Sequence, residues 1–423
     1  MLPEEKLKPD KPKVLLLMGY YYLSNPIYEA LKHQLKNCDV FYYNPKEYIG
    51  GEINSKNFNS HEFAKKEPGY SELSYDPPWY QKTSKDWVRR NVLDKLKGLF
   101  ALLRSASGYK KQILAEIERI SPDIVVCNSD IFIAPRMLQS QRPDIPLVVI
   151  QPCFLDLREE KSTIPWHKKI VNYLFGDIYA TQGFWGMECQ KAKVLVWDSF
   201  AFKHYQASNI NVYQITNPAD VMLKSQVAAL QHLDKSSVAQ KHGLSPRFRT
   251  VILYTGQFAS LHGQLFQTLL ETSYRVFIEA ISPYFNVIVK IHPNDEVSYW
   301  ESIFDENEKS NIKVIRDIDK AELLFLADIA ISTDSYAAYE AAINNLVSIN
   351  FNPKSDEDGY YLSSAYAKVP VLDADKISTV NDFVLSLLDD KHLIEYQVET
   401  KRKINALSVE EKTSLENLIL SFL

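Results

Sequence analysis

Glycine is scarce. The chain has 13 glycines in 423 residues, about half of the usual share of roughly 7%, and no two of them are spaced as Gly-x-Gly. That excludes both the GxGxxG dinucleotide fingerprint and the GxxxxGK(S/T) phosphate loop, so any bound nucleotide has to be held by other means. Cysteine is scarce too. Cys38, Cys127, Cys153 and Cys189 form no CxxC pair, which excludes a disulfide scaffold or a zinc ribbon and points to a reducing cytoplasm. There is no positive charge excess: the formal net charge is -5, so nucleic acid is not an expected partner. Long apolar runs are missing as well. Val14 to Met18 falls far short of the roughly 20 residues of a membrane helix, and Met1–Asp10, charged and Pro-containing, does not read as a signal peptide.

What is present is ordinary core material, 46% hydrophobic and 24% charged, in a length that suggests two or three domains at roughly 100–200 residues each. Short apolar runs recur, mostly separated by helical stretches. They are Lys13–Met18, Val40–Tyr43, Asp123–Cys127, Leu147–Gln151, Ala192–Trp197 and Asn211–Ile215, then Thr250–Tyr254, Asn286–Ile291, Ile312–Ile315, Asp328–Ser332 and Leu346–Asn350. Runs apolar on both faces read as parallel strands covered by helices, the doubly wound α/β class. No internal repeat stands out.

Gln226 to Arg249 has no strand-like run and reads as a hinge. It separates a first domain at about 1–230, with an insertion at about 44–111, from a second at about 248–390. Residues 391–423 form a helical tail expected to pack back toward the domain junction, with Ser408 and Glu411 as its capping box. Within the insertion, Lys85 to Lys111 carries eight Lys/Arg against two Asp on a helical pattern. A core-packed helix with a solvated basic face is the plain reading; a peripheral membrane contact at anionic lipid is the sharper one.

Ligands of open α/β sheets sit beyond the carboxyl ends of the strands, where helix N-termini present free N–H groups. Three strand exits of the second half carry ligand-type residues. One is Lys290-Ile291-His292-Pro293, where Pro293 cannot extend the strand and leaves the imidazole at its exit. The second is Ser332-Thr333-Asp334-Ser335-Tyr336, where Thr333, Asp334 or Ser335 can cap a helix and Ala337 and Ala338 allow a diphosphate close approach. Glu340, about one turn on, is placed to accept from a ribose diol. The third is Gly256-Gln257 after Tyr254. For each, a satisfied histidine, a capped helix or an unliganded turn is the alternative.

These residues, with Pro122–Val126, Ala192–Trp197, Val212–Asp220 and the Lys290-x-His292-Pro293 motif, resemble nucleotide-sugar glycosyltransferases of the GT-B architecture. In that architecture two Rossmann-like doubly wound domains with parallel sheets face each other across a central cleft. The resemblance is closest in style to bacterial surface-polysaccharide transferases of the capsule, sialic-acid, Kdo and polyol-phosphate types. It extends to the non-hydrolysing UDP-N-acetylglucosamine 2-epimerases, over roughly residues 12–390.

The resemblance implies a nucleotide-sugar donor held by the second domain. Lys290, His292 and Ser335 would lie near the phosphates and Glu340 at the ribose. It also implies a glycan or lipid-linked acceptor, no cofactor and no divalent metal, and a cytoplasmic enzyme at the inner face of the membrane. Two family features are missing. The first-domain strand exit Gln151–Asp156 has no histidine base, and the epimerases' Arg-x-Glu-Asn motif is replaced by Gly256-Gln257-Phe258. Candidates for the base are therefore Asp130 and Asp156, although Asp130 precedes an apolar run and has helix capping as its default. His61, Tyr20 and Tyr21 are candidates for the acceptor side. The chemistry readings left open are a transferase, an epimerase and a non-catalytic nucleotide-sugar-binding protein.

Overall fold

The structure, a computed structural model, describes residues 11–17, 26–45, 67, 69–72, 108–130, 133–151, 186–255, 274–291, 297–303, 311–332, 336–352, 371–373, 377–407 and 413–423. The chain divides into two compact units, Met1–Ala219 with Val409–Leu423, and Asp220–Ser408. The division falls at Ala219/Asp220, earlier than the expected hinge at 226–249, which is about half helical.

The first unit holds seven parallel strands: β1 (Lys13–Leu17), β2 (Asp39–Asn44), β3 (Tyr70–Glu72), β4 (Ile124–Cys127), β5 (Leu147–Ile150), β6 (Lys193–Val196) and β7 (Val212–Gln214), in the order β3-β2-β1-β4-β5-β6-β7. Its helices are α1 (Pro26–Gln34), α2 (108–120), α3 (Ile133–Gln141) and α4 (Ser199–Ala207). β1, β4 and β5 are buried almost throughout, because helices cover both faces of a parallel sheet. Tyr109, Ile113 and Ile117 of α2, Met137 of α3 and Tyr205 of α4 pack with Leu15, Val125 and Val149 in one cluster.

The second unit begins within α5 (Pro218–Leu230) and continues through α6 (Lys235–Lys241), so about half of the stretch without strand character is helix. Its six strands are β8 (Thr250–Tyr254), β9 (Asn286–Lys290), β10 (Ile312–Ile315), β11 (Ile329–Ser332), β12 (Val347–Asn352) and β13 (Val371–Asp373), all parallel in the order β10-β9-β8-β11-β12-β13. Between them lie α7 (274–281), α8 (Val297–Ile303), α9 (Lys320–Leu326), α10 (Tyr336–Ile343), α11 (Ile377–Leu388) and α12 (Asp390–Leu407). Side chains alternate across this sheet as strand pleating requires. Val251, Leu253, Val287 and Val289 meet α7 and α11 on one face, whereas Ile252, Tyr254 and Ile288 meet α5, α6, α9 and α10 on the other.

Counted along the chain, both sheets run third-second-first-fourth-fifth-sixth, and in each the order reverses between the first and fourth strands, β1/β4 and β8/β11. The likeness extends to side chains. Asp123, just before β4, accepts from the Lys13 amide at 2.7 Å, and Asp328, just before β11, accepts from the Thr250 amide at 2.8 Å. Tyr28 of α1 donates to the Leu17 carbonyl at 2.8 Å, and Tyr274 of α7 donates to the Tyr254 carbonyl at 3.3 Å. Each tyrosine thus ties a helix between the first two strands to the first strand's last residue.

In the tail, α12 belongs to the second unit and the last segment to the first. There α13 (Leu415–Leu420) is capped by Ser414, whose hydroxyl accepts from the Asn417 amide; the expected Ser408 and Glu411 box lies outside the described residues. Glu416 accepts from the Asn37 amide and side chain at 2.7 and 2.9 Å, and the Phe422 ring packs on Tyr213 at 5.0 Å between centroids. No described helix is long and apolar enough to cross a membrane.

Candidate functional site

In a doubly wound sheet the crevice for a ligand opens beyond the carboxyl ends of the strands where the order reverses. Each unit has such a position. In the first, the Tyr28 hydroxyl that donates to Leu17 also accepts from the Asn128 amide at 3.2 Å, bridging the exits of β1 and β4. In the second, Tyr254 and Ser332 pair as the last residues of β8 and β11. Ser332 and Thr255, the residue after Tyr254, are both buried, and neither side-chain hydroxyl has a hydrogen-bond partner among the described residues. The matching positions of the first unit carry Cys127 and Met18. A buried unpaired hydroxyl costs about 1–3 kcal/mol, so two of them at one switch point mark the place where a polar ligand would restore lost bonds.

α10 starts four residues beyond Ser332, placing its N-terminus at this exit, where free amides and the helix dipole favour an anion. Its second turn is buried despite the carboxylate of Glu340. Glu340 Oε1 pairs with Lys320 Nζ of α9 at 2.8 Å. Tyr336 donates its hydroxyl to Asp220 Oδ1 at 3.1 Å, and Tyr339 donates to the same carboxylate. Burial, reinforced by the charge of Glu340, pushes Asp220 up to about 7. Burial likewise raises the Tyr254 and Tyr336 hydroxyls.

At the exit of β9, Lys290 is partly buried and donates to the Ile291 carbonyl at 3.0 Å. Burial lowers its ammonium below the ordinary value, opposed by Asp317 and reinforced by Lys320 and Arg316. Lys320 and Arg316 are paired with Glu340 and Asp317, whereas Lys290 has no carboxylate partner among the described residues.

Of the residues expected at the donor site, Lys290 ends β9 and Tyr336 and Glu340 lie on α10 after β11, the two strands that flank β8 in one sheet. Gly256, Gln257, His292, Pro293, Thr333 and Ser335 lie outside the described residues, as do Tyr20, Tyr21, His61, Asp156 and the basic stretch 85–107. Glu340 was expected to stand ready for a ribose, and it already carries Lys320 on one oxygen. Asp130 is fully buried, and both its oxygens accept backbone amides, from Gly186 at 2.5 Å and Cys189 at 2.8 Å. Gly186 sits at φ +81°, where a Cβ would meet Val194 at 3.1 Å, so the loop that Asp130 holds requires glycine. Burial pushes Asp130 up to about 6 against the pull of those amides. Sequence reasoning missed Thr255, Ser332, Lys320 and the buried role of Asp220. The first two sat in quoted stretches as strand ends; nothing local in the sequence links Lys320 to Glu340 or Asp220 to Tyr336.

Among the described residues no group of three or more His, Cys, Asp or Glu is placed to hold a metal ion. No protein-family model matches the chain, and no curated protein matches it. Solved structures match it in fold. UDP-GlcNAc 2-epimerase from Neisseria meningitidis bound to UDP-GlcNAc is 13% identical with a TM-score of 0.56, over 97% of this chain and 99% of that one. A glycosyltransferase from Rickettsia africae is 15% identical with a TM-score of 0.53, over 97% and 96%. A variant of Os79 from O. sativa in complex with UDP is 11% identical with a TM-score of 0.58, over 97% and 99%. The two doubly wound parallel sheets thus define a GT-B-like fold, the class that glycosyltransferases share with UDP-GlcNAc 2-epimerase.

Proposed function

We propose that the chain is a nucleotide-sugar-dependent glycosyltransferase whose donor is held at the carboxyl edge of the second unit's sheet. The observation that carries this reading is the pair of buried hydroxyls of Thr255 and Ser332 at the β8/β11 switch point, neither with a partner among the described residues, in the unit where α10 begins beyond that exit. The diphosphate or monophosphate of the donor would take the α10 N-terminus, those hydroxyls, His292 and Ser335, with Lys290 supplying charge. Glu340 would take the ribose. Fixed dipoles and cations aimed at the leaving phosphate can stabilise its developing charge without a divalent metal.

In an inverting transfer an acceptor hydroxyl oxygen attacks the anomeric carbon as the bond to phosphate breaks, the phosphate leaving with the bonding electrons. A general base takes the hydroxyl proton. Asp130, with both oxygens committed to backbone amides, is assigned the role of loop anchor, and the base falls to Asp156. Tyr20, Tyr21 and His61 belong to the acceptor side. The acceptor is a glycan or lipid-linked saccharide of bacterial surface polysaccharide assembly, met by a cytoplasmic enzyme at the membrane's inner face, with residues 85–111 as the contact.

The matched UDP-GlcNAc 2-epimerase fold supports a second reading, an epimerase; the absence of Arg-x-Glu-Asn at the β8 exit argues against it. Screening UDP-, CMP-, GDP- and CDP-sugars by thermal shift tests the donor site. A ligand at about 100 times its Kd should stabilise the protein by about 2.7 kcal/mol, and no shift with any of them contradicts the proposal. Incubation with UDP-N-acetylglucosamine and no acceptor then separates the two chemistries, because an epimerase alone converts the sugar while it stays on the nucleotide.

A further inference from the structure

Asp220 and Glu340 are two buried carboxylates that feel one another's charge at the start of α10, and they are bonded in opposite ways. Asp220 takes neutral donors, the hydroxyls of Tyr336 and Tyr339. Glu340 takes an ammonium, Lys320 Nζ, on Oε1, and no described residue donates to Oε2. The other titratable groups facing the pair are Lys224 of α5, toward Asp220, and Tyr254 of β8, toward Glu340. Burial and the charge of Glu340 push Asp220 up to about 7. Glu340 is instead held by the Lys320 ammonium, which fixes Oε1 at 2.8 Å, and a carboxylate accepts hydrogen bonds through its oxygens.

We propose that Lys320 is a specificity-determining positioning residue, whose ion pair with Oε1 fixes the Glu340 carboxylate for the vicinal hydroxyls of a ribonucleotide and so sets the preference for ribose over 2′-deoxyribose. This rests on the donor-site reading given above. A site built around a charged acceptor rejects a ligand that lacks the matching donor, because the buried group is left under-bonded. Without Lys320 the carboxylate loses the ammonium that fixes Oε1, and a carboxylate free to turn no longer demands a diol.

The test is calorimetric titration of the full chain with UDP and 2′-deoxy-UDP, for wild type, Lys320→Met and Lys320→Arg. If CMP, GDP or CDP is the better ligand, the corresponding deoxy pair is used. Wild type is expected to prefer the ribonucleotide by about tenfold or more. Lys320→Met should cut that preference below about threefold, while Lys320→Arg, which keeps the cation, keeps it. The Lys320 side chain is about half exposed, so the Met variant is expected to fold; Lys320→Gln serves if its melting falls. A wild type that binds with no ribose preference, or a preference unmoved in Lys320→Met, overturns the inference and leaves the donor-site reading standing. A wild type that binds none of the four nucleotides overturns both.

Discussion

Asp328 Oδ2 accepts the Thr250 amide at 2.8 Å and so locks the entry of β11 to the entry of β8. Its other oxygen takes Lys235 Nζ at 2.9 Å. Asp123 and Lys13 repeat the amide contact in the first unit at 2.7 Å. The strands whose exits form each switch point are thus fixed to one another at their starts.

Asp328→Ala should therefore weaken the second unit by about 1.5–3 kcal/mol, the worth of a hydrogen bond to a charged group. Amide exchange at Val251–Tyr254 should speed up while β1 and β4 stay protected; Asp123→Ala should do the reverse. Equal exchange in both units for either variant would deny the two sheets separate anchors.

Asp130 discriminates an anchor from a base. Asp130→Ala orphans the buried amides that Gly186 and Cys189 present and should cost about 2 kcal/mol or more of stability in urea unfolding. A base removed without structural loss would instead leave the unfolding curve in place and abolish turnover.

Asp220 supplies a pH signature. Its folded value of about 7 stands above the ordinary 3.8, so the native state binds the proton more tightly than the unfolded one. The stability linked to this group is full below about pH 4 and falls as the pH rises to about 7. Asp220→Asn removes that slope. The stability difference between variant and wild type should move in the variant's favour by on the order of 2 kcal/mol between pH 5 and 8, read from urea midpoints. Parallel pH profiles would mean that Asp220 does not titrate in this window.

Much of the fold was legible because parallel strands buried on both faces leave continuous apolar runs; each of the eleven runs read from the sequence corresponds to a strand. β3 and β13 were missed for the opposite reason. Tyr70–Glu72 and Val371–Asp373 are three-residue strands at the sheet edges, paired on one side only, and they need no apolar run. Gln226–Arg249 was read as a hinge because it lacks strand character, which the α5 and α6 residues within it explain as well as a linker does. The repeated Asp-Ile pairs, Asp123-Ile124 and Asp328-Ile329, were in view, but a two-residue likeness acquires meaning only when both carboxylates are seen on strand-entry amides. Lys290 and Glu340 could be placed from strand-exit logic. The partner of Glu340 could not, because Lys320 reaches it from a different helix twenty residues earlier.

Calorimetric titration of the Thr255→Val, Ser332→Ala double variant with the best nucleotide ligand decides whether the β8/β11 exit binds a nucleotide through these two hydroxyls, which have no partner among the described residues. At least a tenfold loss of affinity is expected, about 1.4 kcal/mol, in a protein whose ligand-free melting temperature is unchanged or higher, because two buried hydroxyls have gone. Wild-type affinity in the double variant would contradict it.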